Sequence, residues 1–426
     1  MEGKGEIIEN IKKCSSVFWK NDSAIDNPAD YLENQKLKYS DIIDAEDRWK
    51  RFSPLLKRFF PEIEQGIIES ELKCANQLKD FLEREYHKPI RGDLLFKCDN
   101  KLPITGSIKS RGGIYEVLAL AEKLAIENAG FTGSDYRILG EKKYRKMFSN
   151  YRIIVGSTGN LGLSVGIIGK KLGFQVEIHM STDAKEWKKA LLRRAGANII
   201  EHGASYSEAV EEGRRIAKND PGSYFVDDEN SEILFLGYAT AALRLKKQLE
   251  EKGISIDEDN LLYVYLPCGV GGAPGGITFG LKHIFGKYVR SYFAEPVKAP
   301  AVILGVLTGE CEQIDVRDFG IDGKTIADGL AVSKPSRLSC NMMKYLADGF
   351  YTVEDSTMAY LSMLVKNVVN EKIEPSAAAG ITGPLQITEQ CDIKEKSTHI
   401  VWLTGGSMIP EDVYKDMFQK WKKFEN

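Results

Sequence analysis

The 426-residue sequence has no apolar run approaching the ~20 residues needed to cross a bilayer. Its first residues, Met1 to Asn10, hold no apolar core of a signal peptide. No membrane partner is therefore expected, and a cytoplasmic location is. Charge of one sign is also missing: 58 basic against 61 acidic residues leave a formal net charge of -3, without the footprint of a nucleic-acid binder. The basic clusters Lys142-Lys143-Tyr144-Arg145-Lys146 and Lys420-Trp421-Lys422-Lys423 are short and read as solvated faces. Histidine is scarce, with 5 scattered residues and no H-x-x-x-H spacing, so a transition-metal site is not expected. The 7 cysteines (Cys14, Cys74, Cys98, Cys268, Cys311, Cys340, Cys391) are odd in number, form no C-x-x-C pair and read as reduced thiols.

What is present is an ordinary globular composition, long enough for two domains with cores of their own. The first ~100 residues carry apolar positions at helical spacing, as in Glu69 to Leu82, and read as an N-terminal helical extension. From Arg152 the pattern becomes regular. Strand Arg152 to Val155 is followed by helix Leu161 to Leu172, strand Gln175 to His179, helix Lys185 to Ala195, strand Asn198 to Ile200, helix Val210 to Ala217 and strand Ser223 to Val226. This alternation predicts β-α-β units on a parallel sheet. The runs Leu261 to Leu266 and Ile400 to Leu403 are apolar throughout, as buried parallel strands are. The expected organisation is a small α/β domain at 146-234 and a large domain from 1-145 and 235-426, two interleaved lobes with mainly parallel sheets flanked by helices.

Three loops and one lysine carry the chemistry. Lys109 lies where Gly106-Ser107-Ile108 gives way to the helical pattern beginning at Ile114. The positive end of a helix and the charge of Arg111 are expected to favour a neutral, nucleophilic amine there, suited to Schiff-base formation. The loop Gly156-Ser157-Thr158-Gly159-Asn160-Leu161-Gly162 leaves a strand and opens a helix, offering N–H groups, two hydroxyls and an amide to an anion. Cys268-Gly269-Val270-Gly271-Gly272-Ala273-Pro274 does the same before a helix expected from Ile277. Its glycines let N–H groups converge on a phosphate, yet it completes neither a Walker loop nor G-x-G-x-x-G. Thr404-Gly405-Gly406-Ser407 follows the last strand, with Thr404 placed to give a ring nitrogen a neutral hydrogen bond. An amine, a phosphate cradle, an amide and a hydroxyl match the four handles of pyridoxal 5'-phosphate.

These residues carry a family resemblance over nearly the whole chain. The chain resembles the fold-type-II pyridoxal phosphate enzymes, the tryptophan synthase β-subunit superfamily, and within it the bacterial D-serine dehydratase family. The carriers are Gly106 to Val117, Gly156 to Gly162, Asp227-Asp228-Glu229-Asn230-Ser231, Leu266 to Gly272, Asp328-Gly329-Leu330-Ala331-Val332, Glu374-Pro375-Ser376-Ala377 and Thr404-Gly405-Gly406. The resemblance implies that Lys109 forms the Schiff base with the cofactor and acts as general base. It also implies that Gly269, Val270, Gly271 and Gly272 cradle the phosphate and that Asn160 and Thr404 contact the ring. Ser157, Thr158 and Gly159 would face the substrate carboxylate, Thr158 being a second candidate for proton transfer. Ala273 stands where relatives usually have glycine. In relatives a divalent cation sits near a Glu-Pro segment with a carboxylate six residues beyond the glutamate. Here Glu295-Pro296 is followed at that distance by Ala301, so a monovalent cation, K+ or Na+, is expected near Glu295 instead.

The implied reaction is β-elimination of D-serine to pyruvate and ammonia, with D-threonine to 2-oxobutanoate as a further candidate. An L-serine or L-threonine dehydratase on the same fold is the alternative, because chirality is read by pocket geometry. A nucleotide-binding α/β protein without catalysis is the reading from another class. A monomer is expected.

Overall fold

The computed structural model describes residues 3–157, 159–203 and 206–421. In chain order the strands are β1 (Phe18–Lys20), β2 (Leu72–Cys74), β3 (Asp93–Lys97), β4 (Arg152–Gly156), β5 (Gln175–Ser181), β6 (Asn198–His202), β7 (Ser223–Val226), β8 (Leu261–Pro267), β9 (Val289–Pro296), β10 (Gly349–Val353) and β11 (Ser397–Trp402). The chain divides into two compact units that interleave along the sequence. One comprises Ser40–Glu69 and Leu102–Tyr238, the other Met1–Tyr39, Ser70–Lys101 and Ala239–Asn426. Each has its own sheet.

The first unit is built on a parallel sheet in the order β6-β5-β4-β7. Ile153, Ile154 and Val155 are fully buried, as β-branched residues of a central strand covered on both faces should be. The helix Asn160–Leu172 ends at Gly173, whose φ of 106° is open only to glycine without strain. In the helix Tyr39–Phe59 the residues Ile42, Ala45, Trp49, Phe52, Leu55 and Leu56 recur at helical spacing and are buried. From its opposite flank Arg48 and Arg51 reach Glu122 of the helix Tyr115–Ala129 at 2.6 and 3.1 Å.

The second unit carries seven strands in the order β1-β10-β9-β8-β11-β3-β2. All pairs are parallel except β1 with β10 and β2 with β3. The central strands β8 and β11 are the all-apolar runs seen in the sequence, and Val264, Tyr265, Ile400 and Val401 are fully buried.

Two expectations are corrected here. The helical N-terminal extension is interrupted by β1, β2 and β3. Leu72-Lys73-Cys74, expected as helix, pairs antiparallel with Lys97-Phe96-Leu95, and the helix begins only at Asn76. A neighbouring strand edge overrides helical spacing when it supplies ladder hydrogen bonds. The cysteines are not all reduced: Cys311 and Cys340, 29 residues apart in sequence, form a disulfide with a Cα–Cα distance of 5.6 Å, while Cys14, Cys74, Cys98, Cys268 and Cys391 are free. No helix among the described residues is long and apolar enough to cross a membrane.

Candidate active site

Strand order fixes where each unit presents its loops. In the four-stranded sheet the chain runs outward from β4 through β5 to β6, then returns to lay β7 on the other side of β4. The carboxyl ends of β4 and β7 therefore flank a switch point, where neighbouring connections diverge and a crevice opens. The asparagine loop leaves β4 there, and Asp227-Asp228 leaves β7. In the seven-stranded sheet β9 and β10 lie on one side of β8 and β11 on the other, so the glycine loop after β8 and Thr404 after β11 share the corresponding position.

Lys109 stands at the N-cap of a π-helical turn, Ser110–Ile114, which runs into the helix Tyr115–Ala129. Such turns are rare and concentrate at functional sites. Gly112 and Gly113 make this turn possible. A Cβ at Gly112 would lie 2.6 Å from the Tyr238 ring, and one at Gly113 2.9 Å from both Leu161 and Ser164. The Lys109 Nζ lies 2.5 Å from Asp228 Oδ2 and 5.9 Å from the centre of the Tyr238 ring. The Arg111 guanidinium, two residues on, forms a two-pronged ion pair with Glu69 at 2.5 and 3.1 Å.

The asparagine loop is braced from within. Ser157 Oγ accepts from the N–H groups of Gly159 at 2.9 Å and Gly162 at 2.8 Å. Gly159 has φ 142° and packs against the buried stem of Lys188, whose Cδ would lie 2.2 Å from an added Cβ. Asn160 is the first residue of the following helix and is half-buried. Thr158 lies outside the described residues.

In the seven-stranded unit the helix after β8 begins at Gly272, earlier than the expected Ile277, with Gly271 as its N-cap at φ 100°. Ala273 therefore lies inside the first helical turn, where a methyl group is at home and the missing glycine imposes no backbone strain. The loop is held by its carbonyls. Val270 O accepts from Ser336 N at 2.7 Å, and Gly271 O accepts from Ser339 Oγ at 2.7 Å. The first N–H groups of a helix have no intrahelical acceptor and are available to an anion. A Cβ at Gly269 would lie 3.2 Å from Gly329 O. Gly329 N donates to Ser376 Oγ, and Glu374 N to Gly405 O beside Thr404, which is buried. Four segments scattered through the sequence, around Gly269, Gly329, Ser376 and Thr404, thus form one connected scaffold.

Glu295, at the end of β9, is fully buried, and burial pushes its carboxyl up to about 8 against the stabilising N–H bonds of Val302 and Ile303 at 2.8 and 2.7 Å. It caps the helix Ala301–Thr308. Among the described residues no group of three or more His, Cys, Asp or Glu is arranged to hold a metal ion.

Asp228 is the residue whose role sequence reasoning missed. Its signal was position, an acid directly after the strand Ser223 to Val226. That signal gains meaning only once β7 is seen beside β4.

Comparison with known proteins places this geometry. Residues 81–405 match the family described as pyridoxal-phosphate dependent enzyme. A protein of Geobacillus stearothermophilus named probable D-serine dehydratase is 49% identical, covering 98% of this chain and 94% of its own. One of Bacillus mycoides with the same name is 50% identical, covering 97% and 96%. Among solved structures, diaminopropionate ammonia lyase of Escherichia coli in complex with D-serine superposes with a TM-score of 0.71 at 18% identity, covering 96% of this chain and 98% of its own. Threonine deaminase isoform 2 of Solanum lycopersicum gives 0.66 at 18%, covering 96% and 92%. At such identities the superpositions speak for the fold alone.

Proposed function

Because this chain belongs to the pyridoxal-phosphate dependent enzymes, we propose that it converts D-serine to pyruvate and ammonia by β-elimination. The near-half identity to proteins named probable D-serine dehydratase, over almost the full length of both chains, supports the substrate. The observation that carries the chemistry is the Lys109 amine held 2.5 Å from Asp228 at a switch point. When bound, pyridoxal phosphate supplies the electron sink that acidifies the substrate Cα proton and lets the β-hydroxyl depart.

The residues present suit that cofactor. Lys109 is the amine for the aldehyde. The cradle Gly269, Val270, Gly271 and Gly272 is pinned by Ser336 and Ser339 through its carbonyls, which leaves its N–H groups to a phosphate. Asn160 would hydrogen-bond the phenolic oxygen without adding charge. Thr404 would meet the ring nitrogen with a hydroxyl, leaving it mainly unprotonated. The asparagine loop, its shape set by Ser157 and Gly159, would take the substrate carboxylate. Ser157 Oγ accepts from two loop N–H groups, so its own O–H can still donate to the carboxylate beside the remaining backbone N–H groups. Lys109 then holds or accepts a proton at Nζ, with Asp228 Oδ2 as its hydrogen-bond partner. Thr158 is the second candidate for proton transfer. Net, water leaves across the Cα–Cβ bond and is taken up again as ammonia is released.

Finer parts of the reading are a monovalent cation beside Glu295, a monomeric state and a cytoplasmic location. The cation is supported by the Glu295-Pro296 segment, where it would have to displace the proton that burial favours on the Glu295 carboxyl. Replacing K+ by a bulky organic cation and measuring turnover tests it. The test of the whole is pyruvate release from each serine enantiomer with added pyridoxal phosphate. Release from D-serine is expected, whereas release from L-serine alone moves the assignment to an L-specific dehydratase.

A further inference from the structure

Lys109 and Asp228 reach each other from different elements, a helix start and a strand-exit loop, so something must hold the loop to the helix. We propose that Glu116 is a positioning residue for this pair: one carboxyl group ties both flanks of the Asp228 loop to the helix that Lys109 begins. Glu116 lies in the helix Tyr115–Ala129 and is 1% exposed. Its Oε1 accepts from the hydroxyl of Tyr224, in β7 ahead of the loop, at 2.8 Å. The side chain of Ser231, beyond the loop, lies beside the same carboxyl and favours its charged form. The same Ser231 hydroxyl accepts from Leu234 N at 3.1 Å and so starts the helix Glu232–Ala239. The short segment carrying Asp228 is thus clamped at its entrance and its exit.

The other acids of the loop are drawn elsewhere. Arg214 binds Asp227 at 3.0 Å and Glu229 at 2.9 Å. Asp227 Oδ1 also accepts from Glu229 N. Asp228 is the one that meets the amine, and its Oδ1 and the Glu116 Oε2 are both buried without a hydrogen-bond partner. Burial raises the Glu116 carboxyl to about 8, the charges of Asp227 and Asp228 adding to the effect. At neutral pH it is therefore a neutral acid, able to hold Tyr224 and Ser231 without bringing another negative charge near Lys109. Glutamine reproduces that state, and alanine removes the clamp.

This inference rests on the reading of Lys109 as the cofactor lysine, and its test includes a readout independent of that reading. The rate at which an acylating reagent modifies Lys109 in the cofactor-free protein, followed by peptide mass spectrometry, reports how firmly Asp228 holds the amine. In the loaded enzyme, kcat, KM for D-serine and the visible absorption of the bound cofactor are measured in parallel. E116Q is expected to match the wild type within about threefold in every readout. E116A should acylate at Lys109 severalfold faster, as D228N should, and lose about 10- to 100-fold in kcat with KM little changed and the absorption band altered, the scale of a misplaced catalytic group. The double variant Y224F/S231A, which opens the clamp from the other side, should move all readouts in the same direction and carries the test if E116A does not fold. Wild-type acylation and kcat in folded E116A, or equal losses in E116Q and E116A, overturns the proposal. Failure of borohydride to fix the cofactor on wild-type Lys109 overturns the parent reading instead, while the acylation rates still decide the role of Glu116.

Discussion

The two units place their functional groups at the same kind of position, the carboxyl ends of neighbouring parallel strands where connections diverge, yet hold them by different means. In the four-stranded unit the groups are charged and held by other charges: Lys109 by Asp228, Arg111 by Glu69, Asp227 by Arg214. In the seven-stranded unit they are backbone amides and a hydroxyl, held by hydrogen bonds that Ser336 and Ser339 donate and that Ser376 accepts from Gly329. The difference suits the tasks. Moving a proton requires groups whose charge changes, and such groups must be buried and paired to be controlled. Gripping a phosphate requires fixed donors, and backbone N–H groups in a glycine loop cannot titrate or reorient.

That contrast can be broken at either end. Lys109→Ala should abolish turnover and the cofactor's visible band together, and retention of either at the wild-type level would falsify the assignment. Asp228→Asn removes the countercharge but keeps the shape, and kcat should fall about 10²- to 10⁴-fold, the usual span for a proton-transfer group. An unchanged kcat would leave Asp228 as scaffold only and erase the contrast. Gly271→Ala strains a residue at φ 100° and brings a methyl group 2.9 Å from Ser339 Oγ. Strain of about 1–3 kcal/mol should appear as weaker cofactor binding in equilibrium titration, with kcat at saturation spared. Ser336→Ala removes the N-cap of the helix Arg337–Leu346, which donates from Ser339 N at 3.1 Å, and should cost about 1 kcal/mol in denaturant unfolding.

The smallest effect is a slope with pH, and each unit contributes to it. Glu116 and Glu295 are each raised from 4.5 to about 8 by burial. In that window the folded chain binds more protons than the unfolded one. Stability from these groups is therefore complete below about 4.5 and lost as pH rises through about 8. Melting temperature should decline across this range, and E116Q and E295Q should each flatten part of the decline. If neither variant changes the slope, the two carboxyls are not buried as neutral acids.

Much of this arrangement was legible in the chain, element by element. The β-branched run Ile153-Ile154-Val155 and the apolar runs of β8 and β11 announced buried parallel strands because nothing polar interrupts them. The glycine loop stood out as a candidate anion site because its composition has few other uses. Leu72-Lys73-Cys74 misled, since its spacing fits a helix and only the free edge of β3 makes it a strand. Cys311 and Cys340 misled for the same reason, as a sequence separation of 29 says nothing about a Cα–Cα distance of 5.6 Å. The helix Tyr39–Phe59 was legible as a helix from its apolar spacing, but its packing through Arg48, Arg51 and Glu122 was not.

Local signals, then, determined the cofactor class and singled out the glycine loop and Lys109 as candidates, because period, glycine content and residue chemistry are properties of short segments that act wherever the segment sits. The tertiary structure alone decided the partner of that lysine. Asp228 and Glu116 are remote in sequence from the amine or hidden among ordinary helix residues, and their influence falls off with distance in space. Only when β7 is laid beside β4 does an acid reach the amine, and that ion pair comes into being with the fold.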